Sequence, residues 1–198
     1  MTVVTYRVGA DADNGFDSLL YEYYYCPQIR AGYESDGQNV AYIRWPGVTI
    51  PDGATIVTSY ITYYRSGKSG TPPTSKIYFV KAANPAQIAD HSDAVSRTKT
   101  TQYISYSYPS SGSEAKNTGS LNVVIEELTK SYSYSSGAAM MAVIVPDSGS
   151  GDNYFEWKCY PSSPSYAPLL YIEYTTASGT VVRQFMSGGL RSMAGGVA

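Results

Sequence analysis

The chain has 198 residues and a formal net charge of −2, a length that suits one β-rich domain plus a tail and buries a core without covalent staples. A near-neutral balance lacks the basic footprint of a nucleic-acid or anionic-membrane binder, and no stretch reaches the roughly 20 apolar residues of a membrane span. Only 15% of residues are charged, whereas tyrosines number 21. Many stand in runs such as Tyr21-Glu22-Tyr23-Tyr24-Tyr25 and Ser105-Tyr106-Ser107-Tyr108. Such alternation suits exposed strand faces that also serve as contact faces, and equally an ordinary sheet surface.

Thr2 to Val8 alternates as a strand. Nothing at this end resembles the basic and apolar regions of a secretory leader, so a chain made and folded in a cytoplasm is expected. Gly9 to Asp17 is a polar loop of turn-forming residues. A second strand is expected over Leu19 to Cys26, ended by Pro27, and a loop over Arg30 to Gln38.

Val40 to Tyr64 reads as two strands joined by a tight connection, Thr49-Ile50-Pro51-Asp52-Gly53-Ala54. Proline presets φ, aspartate bonds locally and glycine accepts a positive φ. Ala41, Ile43 and Trp45 form the expected core side. After the turn, Ala54 and Ile56 keep one phase, while Ile61 and Tyr63 keep the other. A β-bulge near Thr58 to Tyr60 accounts for the change, as does an inward Tyr60.

Arg65 to Ser75 reads as a long loop, Lys76 to Ala82 as a strand facing inward through Ile77 and Phe79, and Asn84 to Ser96 as a polar connection with a helical turn near Ala86 to Ala89. Thr98 to Tyr108 is the next expected strand, with Ile104, Tyr106 and Tyr108 on one side; Pro109 to Gly119 is loop. In Ser120 to Leu128, the residues Leu121, Val124, Ile125 and Leu128 make one apolar helical stripe, and Ser120 is an acceptable N-cap. A short buried strand is the competing reading.

Ala138 to Val145 is apolar throughout, as a strand covered on both faces is. Asn153 to Tyr160 sets Phe155, Trp157 and Cys159 against Tyr154, Glu156 and Lys158. Pro161 to Pro164 turns the chain into Pro168 to Thr175, with Leu170, Ile172 and Tyr174 on one face. Short strands, Gly/Pro/Ser turns and one short helix indicate an all-β, antiparallel two-sheet β-sandwich of jelly-roll type over residues 1–175.

Residues 176–198 change character into a Gly-rich C-terminal extended arm. Val181, Val182, Phe185, Met186, Leu190 and Met193 are apolar anchors with which it docks on a neighbouring subunit; a disordered end that tolerates them is the alternative.

Catalytic chemistry is thin. His91, the only histidine, lies in a polar stretch with no nucleophile beside it and reads as a surface residue. One histidine and two distant cysteines supply no zinc set. Cys26 and Cys159 are read as two buried thiols, with a disulfide open if neighbouring strands bring them together. Glu126 and Glu127 are adjacent on a helix, hence splayed, and make no glycosidase pair. Asp11, Asp13 and Asp17 crowd an Asn/Gly loop that offers oxygens to Ca²⁺, although the EF-hand pattern is missing; a second loop, Ser148 to Asn153, contributes if it lies close. No cofactor is otherwise expected, and no enzymatic activity.

Asp13-Asn14-Gly15-Phe16, the turn Val48 to Ile56, Ser59-Tyr60-Ile61, Arg97-Thr98, the helix at Leu121 to Leu128, Ser136 to Met140, and Ala167-Pro168-Leu169 with Ile172 to Thr175 together resemble jelly-roll modules of the DNRLRE and carbohydrate-binding-module type, as also found in bacteriophage virion proteins. Tyr134 stands where a tryptophan is common, and the name-giving DNRLRE motif is missing, so no sugar-binding residue is carried over.

The resemblance implies a bacteriophage virion structural protein: a capsid decoration, cement or other accessory subunit that binds capsid or other virion proteins. It would form a homo-oligomer, for which a trimeric ring is a fair expectation. A non-catalytic carbohydrate-binding or adhesive module with a glycan-facing surface, located outside the cell or on its surface, is the alternative.

Overall fold

The structure is a computed structural model; it describes residues 1–18, 28–35, 37–109, 114–131 and 134–176. The fold is all-β. Among the described residues, eleven antiparallel strands form one curled, jelly-roll-like sandwich sheet, ordered β1-β11-β5-β10-β3-β4-β9-β6-β7, with β2 added on β4 and β8 on β5. The strands are β1 Thr2–Arg7, β2 Asn14–Asp17, β3 Gln28–Glu34, β4 Gly37–Val48, β5 Thr55–Ser69, β6 Ser75–Phe79, β7 Ile104–Tyr106, β8 Ala115–Asn117, β9 Ala138–Pro146, β10 Asn153–Lys158 and β11 Leu169–Thr175. Two helices are described, α1 His91–Ser96 and α2 Asn122–Ser131. The first replaces the helical turn expected a few residues earlier, and Asp90 caps it by accepting the Asp93 N–H.

The expected faces of β4 hold: Ala41, Ile43 and Trp45 are fully buried. β4 and β5 do not pair with each other. The turn between them carries the chain from one layer to the other, with Gly53 at φ +69° and the Ala54 N–H on the Pro51 carbonyl. Ile50 and Ala54 flank it inside the core. Two contacts tie the layers at this end: Trp45 Nε1 donates to the Pro168 carbonyl at 3.2 Å, and Tyr6 Oη meets Thr49 Oγ1 at 2.7 Å.

The bulge in β5 is real. Glu173 pairs with Thr58 while Tyr174 pairs with Ile56, leaving Val57 over. Ile56 and then Ser59, Ile61 and Tyr63 therefore all face the core. Tyr60 points outward, so the inward alternative is wrong.

α2 confirms the apolar stripe: Leu121, just ahead of the helix, and Val124, Ile125 and Leu128 within it are all buried. Each such side chain contributes about 1.5–3 kcal/mol, which offsets the modest helix propensity of the β-branched residues. β9 lies between β4 and β6 and is covered on both faces as expected. One face joins the main core, and Met141 and Val143 join a second cluster with Tyr42, Val80, Ile88 and Ala94.

Several expectations fail. Within the expected Arg30 to Gln38 loop, Arg30 to Glu34 belongs to β3 and Gly37 and Gln38 begin β4, because Arg30 is held by carboxylates and Gly32 packs on the Asn153 backbone, where a Cβ would collide. Arg65 to Ser69 continues β5. The polar Gly9 to Asp17 stretch ends in strand β2, which pairs with β4. Only Ile104–Tyr106 of the long Thr98 to Tyr108 strand forms, apart from an isolated bridge between Lys99 and Val80. The expected strand at Leu19 to Cys26, Cys26 itself, and the arm residues Val181, Val182, Phe185, Met186, Leu190 and Met193 lie outside the described residues.

Candidate contact surface

Tyrosines divide between two environments. Tyr63 and Tyr106 are buried, against the expectation that the Ser105 to Tyr108 run is an exposed face. Tyr63 stacks on Trp157 with ring centroids 4.1 Å apart, and Tyr106 Oη donates to Tyr63 Oη at 2.6 Å. Burial pushes both phenols above their ordinary pKa. Tyr108 closes the cluster: its ring stacks on Phe155, and its hydroxyl accepts from Arg65 Nε and donates to the Gly67 carbonyl.

The outward set sits on the layer formed by β1, β11 and β5. The period of 2 along β5 brings Tyr60, Thr62 and Tyr64 to one face. Tyr171 of β11 is the register partner of Tyr60, and their rings stack at 4.6 Å and 2°. Next to them, Tyr64 meets Tyr166 at 4.6 Å and 54°. Tyr166 comes from the short turn Pro164–Tyr166 and is 44% exposed; Lys158 Nζ lies 4.5 Å over its ring. Partial desolvation, then Glu173 and Tyr60, push the Tyr171 phenol upward. The result is two packed pairs of tyrosine rings on this side of the sheet, with Lys158 and Glu173 beside them. Sequence alternation pointed to tyrosine faces but did not say which tyrosines turn inward.

Two of the loop carboxylates, Asp13 and Asp152, have structural partners. Asp13 is buried, with Oδ1 2.7 Å from Arg44 Nη1 and 3.2 Å from Gln87 Nε2. Asp17 is buried on β2 and Asp11 begins the turn before it. Asp152 accepts the Ser35 N–H. Among the described residues no three His, Cys, Asp or Glu side chains converge as metal ligands would. Glu127 clamps the Thr101 and Gln102 N–H groups at 2.8 and 2.7 Å, whereas Glu126 pairs with Lys130, so the two do diverge. His91 is the first residue of α1. Cys159 is buried 3.3 Å from Ser162 Oγ, and burial pushes its thiol pKa up.

A cleft of about 290 Å³ lies between the residues after β6 and α1, lined by Val80, Asn84, Pro85, Asp93 and Arg97 among others. Arg97 is taken up by Asp93 and by the Ala86 and Gln87 carbonyls, so it braces the loop. Among the described residues no helix is long and apolar enough to cross a membrane. No model of a known protein family matches the chain, and no curated protein matches it.

Proposed function

We propose that this chain is a non-catalytic structural protein of a bacteriophage virion, a head decoration, cement or accessory subunit, and that its outward tyrosine face meets a neighbouring shell protein. The observation that carries this reading is the Tyr60–Tyr171 pair with Tyr64 and Tyr166 beside it, on one sheet face. Tyrosine supplies large, rigid contact area at little entropic cost, and aromatic residues are enriched at protein interfaces. The resemblance of the Val48 to Ile56 turn and the last strand to jelly-roll virion modules supports the setting in a particle.

A glycan-binding module is the second reading, since aromatic rings also stack on sugars. The ring geometry favours protein contact. Tyr60 and Tyr171 each cover one face of the other, and Tyr166 packs against both Lys158 and Tyr64, so these rings offer a sugar less open face than unpaired rings would.

The test adds the purified chain to particles that lack it and pellets the particles. The chain is expected to co-sediment, and Tyr60→Ser with Tyr171→Ser to weaken binding at least about tenfold without unfolding. Retention on a glycan array with no binding to any particle would overturn the virion reading in favour of the second.

A further inference from the structure

We propose that the free edge of β1 pairs with β1 of a second copy, antiparallel and about a two-fold axis through Val4. β1 ends the sheet, and its other side is unpaired among the described residues. The Val8 N–H donates to the Pro168 carbonyl, and Arg7 lies opposite Leu169. Hydrogen-bonded and non-bonded pairs alternate along an antiparallel ladder. Thr2, Val4, Tyr6 and Val8 therefore direct their backbone groups to β11, and Val3, Thr5 and Arg7 direct theirs outward.

Apart from Arg7 at its end, that edge carries none of the devices that usually block pairing. Thr2–Arg7 contains no proline and no lysine, its register with β11 is unbroken, and Arg7 is its only charge. Exposed edges of this kind are templates for another strand. The opposite end of the sheet, β7, has only three residues and gives a partner little to pair with.

The strand is complementary to itself. Pairing about Val4 sets Val3 of one copy opposite Thr5 of the other, and Thr2 opposite Tyr6. Side chains on the outer face meet outer, and inner meet inner. Val3 and Thr5 exchange backbone hydrogen bonds, while the two Val4 residues form a non-bonded pair with Cα atoms about 4.5 Å apart. Val3, now 51% exposed, gains a β-branched neighbour. Val4 and Tyr6, which pack on the core but stay half-buried at the edge, become covered. The pairing uses the backbone edge of β1 and none of the four tyrosine rings, although Thr5 lies opposite Tyr171.

Sedimentation of the untagged chain over a dilution series tests the pairing. A dimer that dissociates on dilution is expected. Thr5→Pro removes an outward N–H and leaves the β11 ladder intact, so it gives monomer at all concentrations. Val4→Cys gives a covalent dimer on mild oxidation that the parent chain does not form. A parent chain that stays monomeric at every concentration overturns the proposal, as does a dimer that persists in Thr5→Pro. If Thr5→Pro does not fold, the covalent dimer decides alone, and its failure to form overturns the proposal.

Discussion

Asn122 Nδ2 donates to the Val57 carbonyl at 2.8 Å, at the one residue of β5 that the bulge leaves over. Its Oδ1 accepts from Ser59 Oγ at 2.8 Å, and the Leu121 N–H reaches the Ser59 carbonyl. The first turn of α2 thus holds the bulge, which in turn lets β5 present Tyr60 outward while Ile61 and Tyr63 stay in the core. Asn122→Ala removes two hydrogen bonds at a partly solvated site, a loss of about 1–2 kcal/mol. Thermal melts should fall by about 3–6 °C for a domain of this size; an unchanged melt would mean that water replaces the asparagine.

Arg30 carries a second prediction. Its guanidinium lies between Glu34 at 2.7 Å and Glu156 at 2.5 Å, against the Phe16 and Tyr154 rings. Arg30→Ala takes the cation from buried Glu156 and from partly exposed Glu34, which keeps the Asn39 amide, and should cost about 3 kcal/mol, less any gain from water entry. Replacing Arg30 by Met together with Glu156 by Leu should recover much of this in urea titrations. Failure of the double variant to recover would show that the network also fixes the pairing of β3 with β10.

Alkaline pH should unfold the protein from within. Tyr63, Tyr106 and Tyr134 all have phenols pushed up by burial, and Tyr134 Oη also donates to the Val48 carbonyl. A raised folded pKa means the folded state holds its protons longer than the unfolded state. The associated stability is fully present below about pH 10 and declines as pH rises beyond it. Phenolate absorbance should therefore rise in two stages, exposed tyrosines first and the buried set only with unfolding. A single stage that leaves the far-ultraviolet spectrum unchanged would contradict the buried assignment.

The Asp-rich loop should behave as a salt-bridge site. Asp13→Asn weakens the hold of Arg44 and lowers the melt, while calcium or a chelator leaves the parent melt within about 1 °C, since a ligand of the folded state would raise it. A calcium-dependent rise of several degrees would make the loop a metal site.

The parts of the fold legible in the sequence are those whose partners repeat along the chain. The Leu121–Leu128 stripe, the apolar β9 and the alternation of Ala41, Ile43 and Trp45 each show their own periodicity. β3 was hidden because Arg30 and Glu34 are made tolerable by Glu156, far away in sequence. The end of β5 was hidden because Gly67 and Ser69 read as turn residues, although β10 pairs with them. Inward and outward tyrosines look alike in sequence, since an alternating Ser/Tyr run fits either face until the partner of each hydroxyl is known. Tyr106 is accepted inside because Tyr63 bonds it; Tyr60 stays outside because the bulge at Val57 fixes the phase beyond it.

Side-chain footprinting of the tyrosines with hydroxyl radicals, on the free chain and on intact particles, tests the contact face most directly. Tyr60, Tyr64, Tyr166 and Tyr171 should lose reactivity on the particle, while Tyr103, 43% exposed and next to Tyr78 beyond that face, keeps its own. Equal reactivity of the four in both states would contradict the assignment of that face as the surface that meets the shell.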